Sequence, residues 1–200
     1  MNRRGIVVLV VCGSVVGLAS ILGTPAGAGV TAAQVYKVDP VHSTVLFRVK
    51  HMNVSYLNGR FNEITGSIAI DDQNPAQCSF ELKVATDKVD TAIAKRDTHL
   101  KSPDFFNARQ FPTINFKSKH VSKEGDNSYD VAGDMTIHGV TKPVSLKVEQ
   151  TGVAQNPRGG QVAGFETVFT IKRSEFGMTN MLGMVGDEVR ITVNIEAGSQ

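Results

Sequence analysis

From Val35 to Glu196 the chain repeatedly alternates apolar and polar residues, with turn signals between the runs. Successive side chains of a strand point to opposite faces, so this period of two marks strands with one buried and one wet side. Eight segments carry it. On their apolar sides lie Val45, Phe47, Val49 and His51; Ile64, Gly66, Ile68 and Ile70; Cys78, Phe80, Leu82 and Val84; and Ile114, Phe116, Ser118 and His120. The second half continues with Tyr129, Val131, Gly133, Met135 and Ile137; Val144, Leu146 and Val148; Phe165, Thr167, Phe169, Ile171 and Arg173; and Val189, Ile191, Val193 and Ile195. Clusters at Asn58-Gly59, Asp71 to Pro75, Glu124 to Asn127 and Asn156 to Gly160 read as turns. Alternation stops over 92–108, where Ala, Lys, Arg and Leu favour a short helix ended by Pro103. The expectation is an all-β domain of about eight antiparallel strands, barrel or sandwich, with one short helical segment between strands 3 and 4. Eight strands closed into a barrel leave room for side chains or for one small apolar ligand, and alternation alone does not choose between them. With no Trp and only three Tyr, phenylalanines supply most of the bulky interior.

The first 28 residues read as an address. Arg3 and Arg4 precede an apolar stretch from Gly5 to Leu22, and Ala26-Gly27-Ala28 follows it, the layout of a secretory signal. Cleavage is expected after Ala28, with a second site after Ala33, and retention of the segment as an anchor is the alternative. Val11 before Cys12 is too large for a lipoprotein site. Cleavage removes two of the 21 basic residues and none of the 19 acidic ones, so the formal charge falls from +2 to zero. A balanced surface has no clustered basic footprint for nucleic acid. Cys78 is then the single cysteine, which excludes an intrachain disulfide even in an oxidising compartment. A periplasmic or secreted location follows, with no stable membrane insertion after cleavage.

Four motifs in order carry a family resemblance. Tyr36-x-x-Asp39-x-x-His42-Ser43 is followed by Phe47, His51 and Gly59-x-Phe61. Arg96-Asp97-x-His99-Leu100-x-Ser102-x-Asp104-Phe105-Phe106 leads to Phe111-Pro112. Gly133-x-Met135-Thr136-Ile137-His138-Gly139-Val140-Thr141-Lys142-Pro143-Val144 and Arg173-x-x-Phe176-Gly177 complete the set. Together they resemble the YceI-like family, the bacterial polyisoprenoid-binding proteins, over residues 34–196. The resemblance implies a single lipocalin-like antiparallel barrel that encloses an isoprenoid chain, such as that of a quinone, or another long-chain apolar molecule, with no reaction attached. It also implies the hollow interior that alternation leaves open.

Other constellations are weaker. His42, His51, His99, His120 and His138 show no metal-ligand spacing. His51, His120 and Arg173 each end an apolar face, where they either bond nearby backbone at the rim or receive a ligand's head group. Arg96, Asp97, His99 and Asp104 lack an accompanying nucleophile or phosphate loop. A structural role is expected, Arg96 pairing with Asp97 to cap the helix while Phe105 and Phe106 anchor it. Cys78 reads as a small core residue. Met178, Met181 and Met184 are spaced to bind Cu(I) or to form a pliable apolar lip.

The leading expectation is an exported lipid-binding protein that is not an enzyme and has no resident cofactor. Its ligand contacts are Phe47, Val49, Phe61, Phe80, Leu82, Phe116, Val131, Met135, Phe165 and Phe169, with His51, His120 and Arg173 as a polar ring. Its role is carriage, storage or stress response, as a monomer or homodimer with transient contact to membrane electron-transfer proteins. The rivals are a copper-binding stress protein using the methionine loop and a filled barrel acting as an interaction module.

Overall fold

A computed structural model of the protein describes residues 32–200; the segment 1–28, expected to be a signal, lies outside the described residues. The first strand is broken in two. β1 (Gln34–Val38) and β2 (Thr44–His51) both run antiparallel to the last strand, β11 (Val185–Ser199), with Val38 opposite Ala197 and Thr44 opposite Asn194. At the break the Asp39 N–H donates to the Glu196 carbonyl (2.8 Å), and the Ser43 hydroxyl bridges both backbone groups of Glu196 at 3.1 Å. A side chain thus replaces ladder bonds that would otherwise be left unmade.

β3 (Ser55–Phe61) and β4 (Ile64–Ile70) form a second broken strand, which pairs with the first. β5 (Ser79–Ala85) and β6 (Val89–Asp90) form a third, interrupted by a 3-10 turn over Thr86–Lys88. β7 (Thr113–Lys123), β8 (Ser128–Ile137), β9 (Val140–Gln155) and β10 (Gln161–Lys172) follow as a meander to β11. The order β1-β4-β5-β7-β8-β9-β10-β11, with β11 returning to β1, closes an antiparallel ring. Counted as chain passes, this is the expected eight-stranded lipocalin-like barrel. Closure leaves no open edge along the ring to template pairing with another chain.

The expected helix is α1 (Ala94–Lys101), between the third and fourth passes. Its place follows from strand lengths. β6 pairs only with β3, while β7 begins at Thr113 opposite Ala85, so past that level no strand pairing joins the third and fourth passes. α1 and residues 102–112 cover this end. Arg96 and Asp97 do not pair as the sequence suggests; both grip Thr91. Asp97 accepts from the Thr91 N–H (2.9 Å) and hydroxyl (2.5 Å), while Arg96 donates to the Thr91 hydroxyl and carbonyl, each at 2.7 Å. The residue preceding the helix, Ile93, offers no side-chain cap.

Two further expectations are corrected. Asn58-Gly59 is no turn but lies inside β3, opposite Arg48 and Phe47. A Cβ on Gly59 would sit 2.2 Å from the Phe47 ring, so the glycine marks a seat for that ring. His120 is exposed on the outer surface. The β7–β8 register shifts between Ser118 and His120, which hands the buried side to Val121. Such a bulge inserts one extra residue and exchanges the faces beyond it. Gly133 opposite Ser118 admits the close approach, since a Cβ there would meet the Lys117 carbonyl at 2.3 Å.

Candidate functional site

The inward faces enclose a tunnel of about 1330 Å³, its open mouth included. Measured as small-molecule cavities usually are, at roughly 300–1,000 Å³, the space inside is about 160 Å³, so the tunnel is narrow as well as deep. Of its 30 lining residues only Glu166, Thr167 and Arg173 are not hydrophobic, and eight are phenylalanines. Six steps along β10 separate Phe165 from Ile171, both on the wall. That is roughly 20 Å of strand, or about 15 Å of depth at a strand tilt of about 40°.

The far end is closed by aromatic packing. Phe80 stands edge-on to Phe165 at 6.0 Å and to Tyr129 at 6.3 Å, and Tyr36 packs on Phe165 at 6.4 Å. Tyr129 is fully buried, and burial first, then the neighbouring Asp72 charge, pushes its phenol up to about 12. Cys78 lies at the same end, its Sγ accepting the Asp71 N–H at 3.2 Å. Burial raises its thiol pKa, the setting of an inert core cysteine rather than a nucleophile.

The other end is the mouth. Leu100, Phe105 and Phe106, on or just after α1, join the lining, and Phe106 meets Phe61, which in turn meets Phe47, at 5.4 and 5.7 Å. An outer groove shares Phe47, Val49, Leu100, Phe105 and Val185 with the tunnel and adds His51, Tyr56, Asn58, Arg96, His99 and Met181. The entrance is therefore a polar-rimmed vestibule between α1 and the β2–β3 hairpin. His99 is held there by Asp104 at 2.9 Å.

Arg173 lines the tunnel near the mouth yet spends its donors on backbone. The residue is only 4% exposed, and its guanidinium donates from Nε to the Gly186 carbonyl (3.0 Å) and from Nη1 to those of Met178 and Asn180 (both 2.8 Å). Nη2 donates to the Val185 carbonyl at 2.9 Å. Four of five N–H groups thus tie down the loop 177–186. Burial lowers the pKa of Arg173, opposed by Asp187. Burial alone would raise Asp187; the Ser174 N–H and hydroxyl, both donating at 2.8 Å, with the Arg173 and Lys172 charges, outweigh it and hold the carboxyl low.

Of the residues expected at the site, Phe47, Val49, Phe61, Phe80, Leu82, Phe116, Met135, Phe165, Phe169 and Arg173 line the tunnel. Val131 is buried in the core beyond that wall, His51 stands in the vestibule, and His120 is outside. Alternation missed Leu100, Phe105, Phe106 and Met178, which come from non-strand segments. The double phenylalanine after Pro103 was their visible signal. The three loop methionines occupy different surroundings: Met178 is buried on the tunnel wall, while Met181 and Met184 are exposed.

A closed antiparallel barrel around a deep apolar tunnel, open at one covered end, places the protein in the lipocalin-like class of barrels. The YceI-like domain model matches residues 36–197, and the chain belongs to that family. It is 40% identical to the UPF0312 protein of Pseudomonas aeruginosa over 171 residues, covering 84% of this chain and 89% of that one. A Yersinia pestis UPF0312 protein is 42% identical over the same length, covering 84% and 88%. The crystal structure of Burkholderia cenocepacia BcnA superposes with a TM-score of 0.71 at 30% identity, covering 80% of this chain and 99% of that one. A polyisoprenoid binding domain from Saccharophagus degradans shares the fold, with a TM-score of 0.65 at 13% identity and coverage of 82% and 98%.

Proposed function

We propose that this protein binds a long-chain apolar lipid of the isoprenoid class, quinone-like or polyprenyl, within the barrel. The carrying observation is the tunnel itself, in which 27 of 30 lining residues are hydrophobic. The Saccharophagus domain, which has the same fold and is described as binding polyisoprenoid, supports the ligand class. Burial of each CH₂ group contributes about 0.8 kcal/mol, so ten give about 8 kcal/mol gross, against an association cost of about 4–15 kcal/mol. Retention therefore needs a ligand that fills the depth of the barrel. The proposed role is binding without a reaction, for carriage, storage or stress response outside the cytoplasm, where the N-terminal signal would send the chain.

The test is mass spectrometry of an organic extract of protein purified from its native envelope, with titration of delipidated protein by prenyl quinones and polyprenyl phosphates. A stoichiometric prenyl lipid is expected. Barrels that extract clean and take up neither ligand refute the reading.

A further inference from the structure

The mouth carries an apolar rim that the tunnel does not need for its own lining. Twelve large hydrophobic residues are exposed among the described residues, and seven of them stand at this end: Met52, Val54, Tyr56, Ile93, Met181, Leu182 and Met184. The β2–β3 tip is the most exposed part, with Val54 at 84% and Met52 at 55%. Met52 and Asn53 both have positive φ, at 48° and 58°. Glycine or asparagine relaxes that backbone, whereas methionine there costs strain and leaves an apolar side chain in water. The tip is also fastened to the methionine loop, since the Met52 N–H donates to the Met184 carbonyl at 2.6 Å. Two apolar prominences from distant parts of the chain are thus joined beside one opening.

Among the described residues, cations beside the mouth lack acidic partners, as do Lys83 and Arg190 on the wall, whereas other wall lysines are paired. Lys117, Lys119, Lys123 and Lys147 on the barrel are ion-paired with Glu81, Asp134, Asp72 and Asp130. Lys50, beside the tip, and Lys95, Arg96 and Lys101 of α1 make no salt bridge among the described residues. Nearby acids are engaged: Asp97 with Thr91, Asp104 with His99 and Asp187 with Ser174. Glu175 and Glu188 remain exposed on the β10–β11 flank, so the cationic side of the mouth is the α1 and β2 side. There the Arg48 guanidinium lies 3.7 Å over the Tyr56 ring, an amphipathic pair suited to headgroup depth. The turns at the closed end are polar instead: Asp71 to Pro75, Glu124 to Asn127 and Asn156 to Gly160.

We propose that the mouth is a membrane-docking surface, with Met52, Val54 and Leu182 entering the interface of an anionic bilayer so that the ligand passes between tunnel and lipid without crossing bulk water. The surface rests on the lipid-binding reading for its cargo. An apolar rim beside free cations is the combination that binds anionic bilayers reversibly, without a spanning segment.

The chain has no tryptophan, so a single introduced one reports its own surroundings. Val54→Trp at the mouth and Arg158→Trp at the opposite end are mixed with vesicles of phosphatidylcholine and phosphatidylglycerol containing brominated lipid. Val54→Trp should shift to the blue and be quenched while Arg158→Trp does neither; no response at Val54→Trp, or equal responses, overturns the proposal. Transfer of a fluorescent prenyl lipid from vesicles should speed up with vesicle concentration. It should slow about tenfold in a Val54→Asp, Leu182→Asp double variant, with affinity in vesicle-free solution unchanged. Both side chains are exposed, so the fold is retained, which circular dichroism checks. Transfer independent of vesicle concentration, or unaltered in the double variant, also overturns it. A protein that takes up no prenyl lipid but still buries Val54→Trp in vesicles would keep the docking surface and refute the cargo instead.

Discussion

Replacing Arg173 with methionine keeps an unbranched side chain against the tunnel wall and removes every hydrogen bond it makes. Four bonds of 2.8–3.0 Å disappear, leaving the carbonyls of Met178, Asn180, Val185 and Gly186 without their donor. Hydrogen bonds from a charged group contribute about 1.5–3 kcal/mol each, so the gross loss is about 6–12 kcal/mol. Part is offset because a buried cation no longer has to be desolvated, a matter of several kcal/mol. The net cost is then about 3–5 kcal/mol, as when one partner of a buried charged contact is removed. With a urea m-value of about 2 kcal/mol per M, the midpoint falls by roughly 1.5–2.5 M. The loop is covalently tethered at both ends, so part of the loss can take the form of local opening. Hydrogen exchange by mass spectrometry separates the two, with residues 177–186 losing protection first. A midpoint within about 0.3 M of wild type, with protection of the loop unaltered, would refute the reasoning and return Arg173 to the role of head-group receiver.

Three further outcomes follow from the geometry. Phe116→Trp enlarges a side chain that faces the tunnel; thermal unfolding should stay within about 1 kcal/mol of wild type while prenyl-lipid capacity drops, whereas a loss of about 1–3 kcal/mol would indicate a filled core. Gly59→Ala places a methyl group where the Phe47 ring now sits, and a loss of about 1–3 kcal/mol in denaturant titration is expected; a neutral result would show that the ring moves freely. Tyr129 keeps its proton to about pH 12 when folded, against about 10 unfolded. Its contribution is therefore complete below pH 10 and is lost at about 1.4 kcal/mol per pH unit up to 12. Tyr129→Phe should flatten that decline by up to about 3 kcal/mol in unfolding measured from pH 9 to 12, and an unchanged slope would contradict the buried phenol.

Much of the wall was legible because alternation is a local property. Phe165, Phe169 and Ile171 face inward for the same reason that Val168 and Thr170 do not: neighbouring side chains on a strand point to opposite sides. His120 escaped because one extra residue at Ser118–Lys119 reverses the faces beyond it, and nothing in the sequence around it announces a bulge. Asn58-Gly59 misled for a related reason. The pair is a turn signal when glycine serves a positive φ, but here glycine serves the Phe47 ring across the sheet. Arg173 ends an apolar face, and only the folded loop shows that its four acceptors lie within reach.

By itself the sequence determined which segments extend, which side of each is apolar, and, through its motifs, the family. Those are consequences of backbone geometry and residue type within about ten neighbours. Closure of β11 onto β1, the breaks that turn eleven strands into eight passes, and the placing of α1 over the gap beyond Ala85 were decided by tertiary structure. So was the meeting of Met52 with Met184, residues from two distant loops that make one rim. Pairings of that kind depend on which backbone groups still lack partners once the ring has closed, and that condition exists only in the folded barrel.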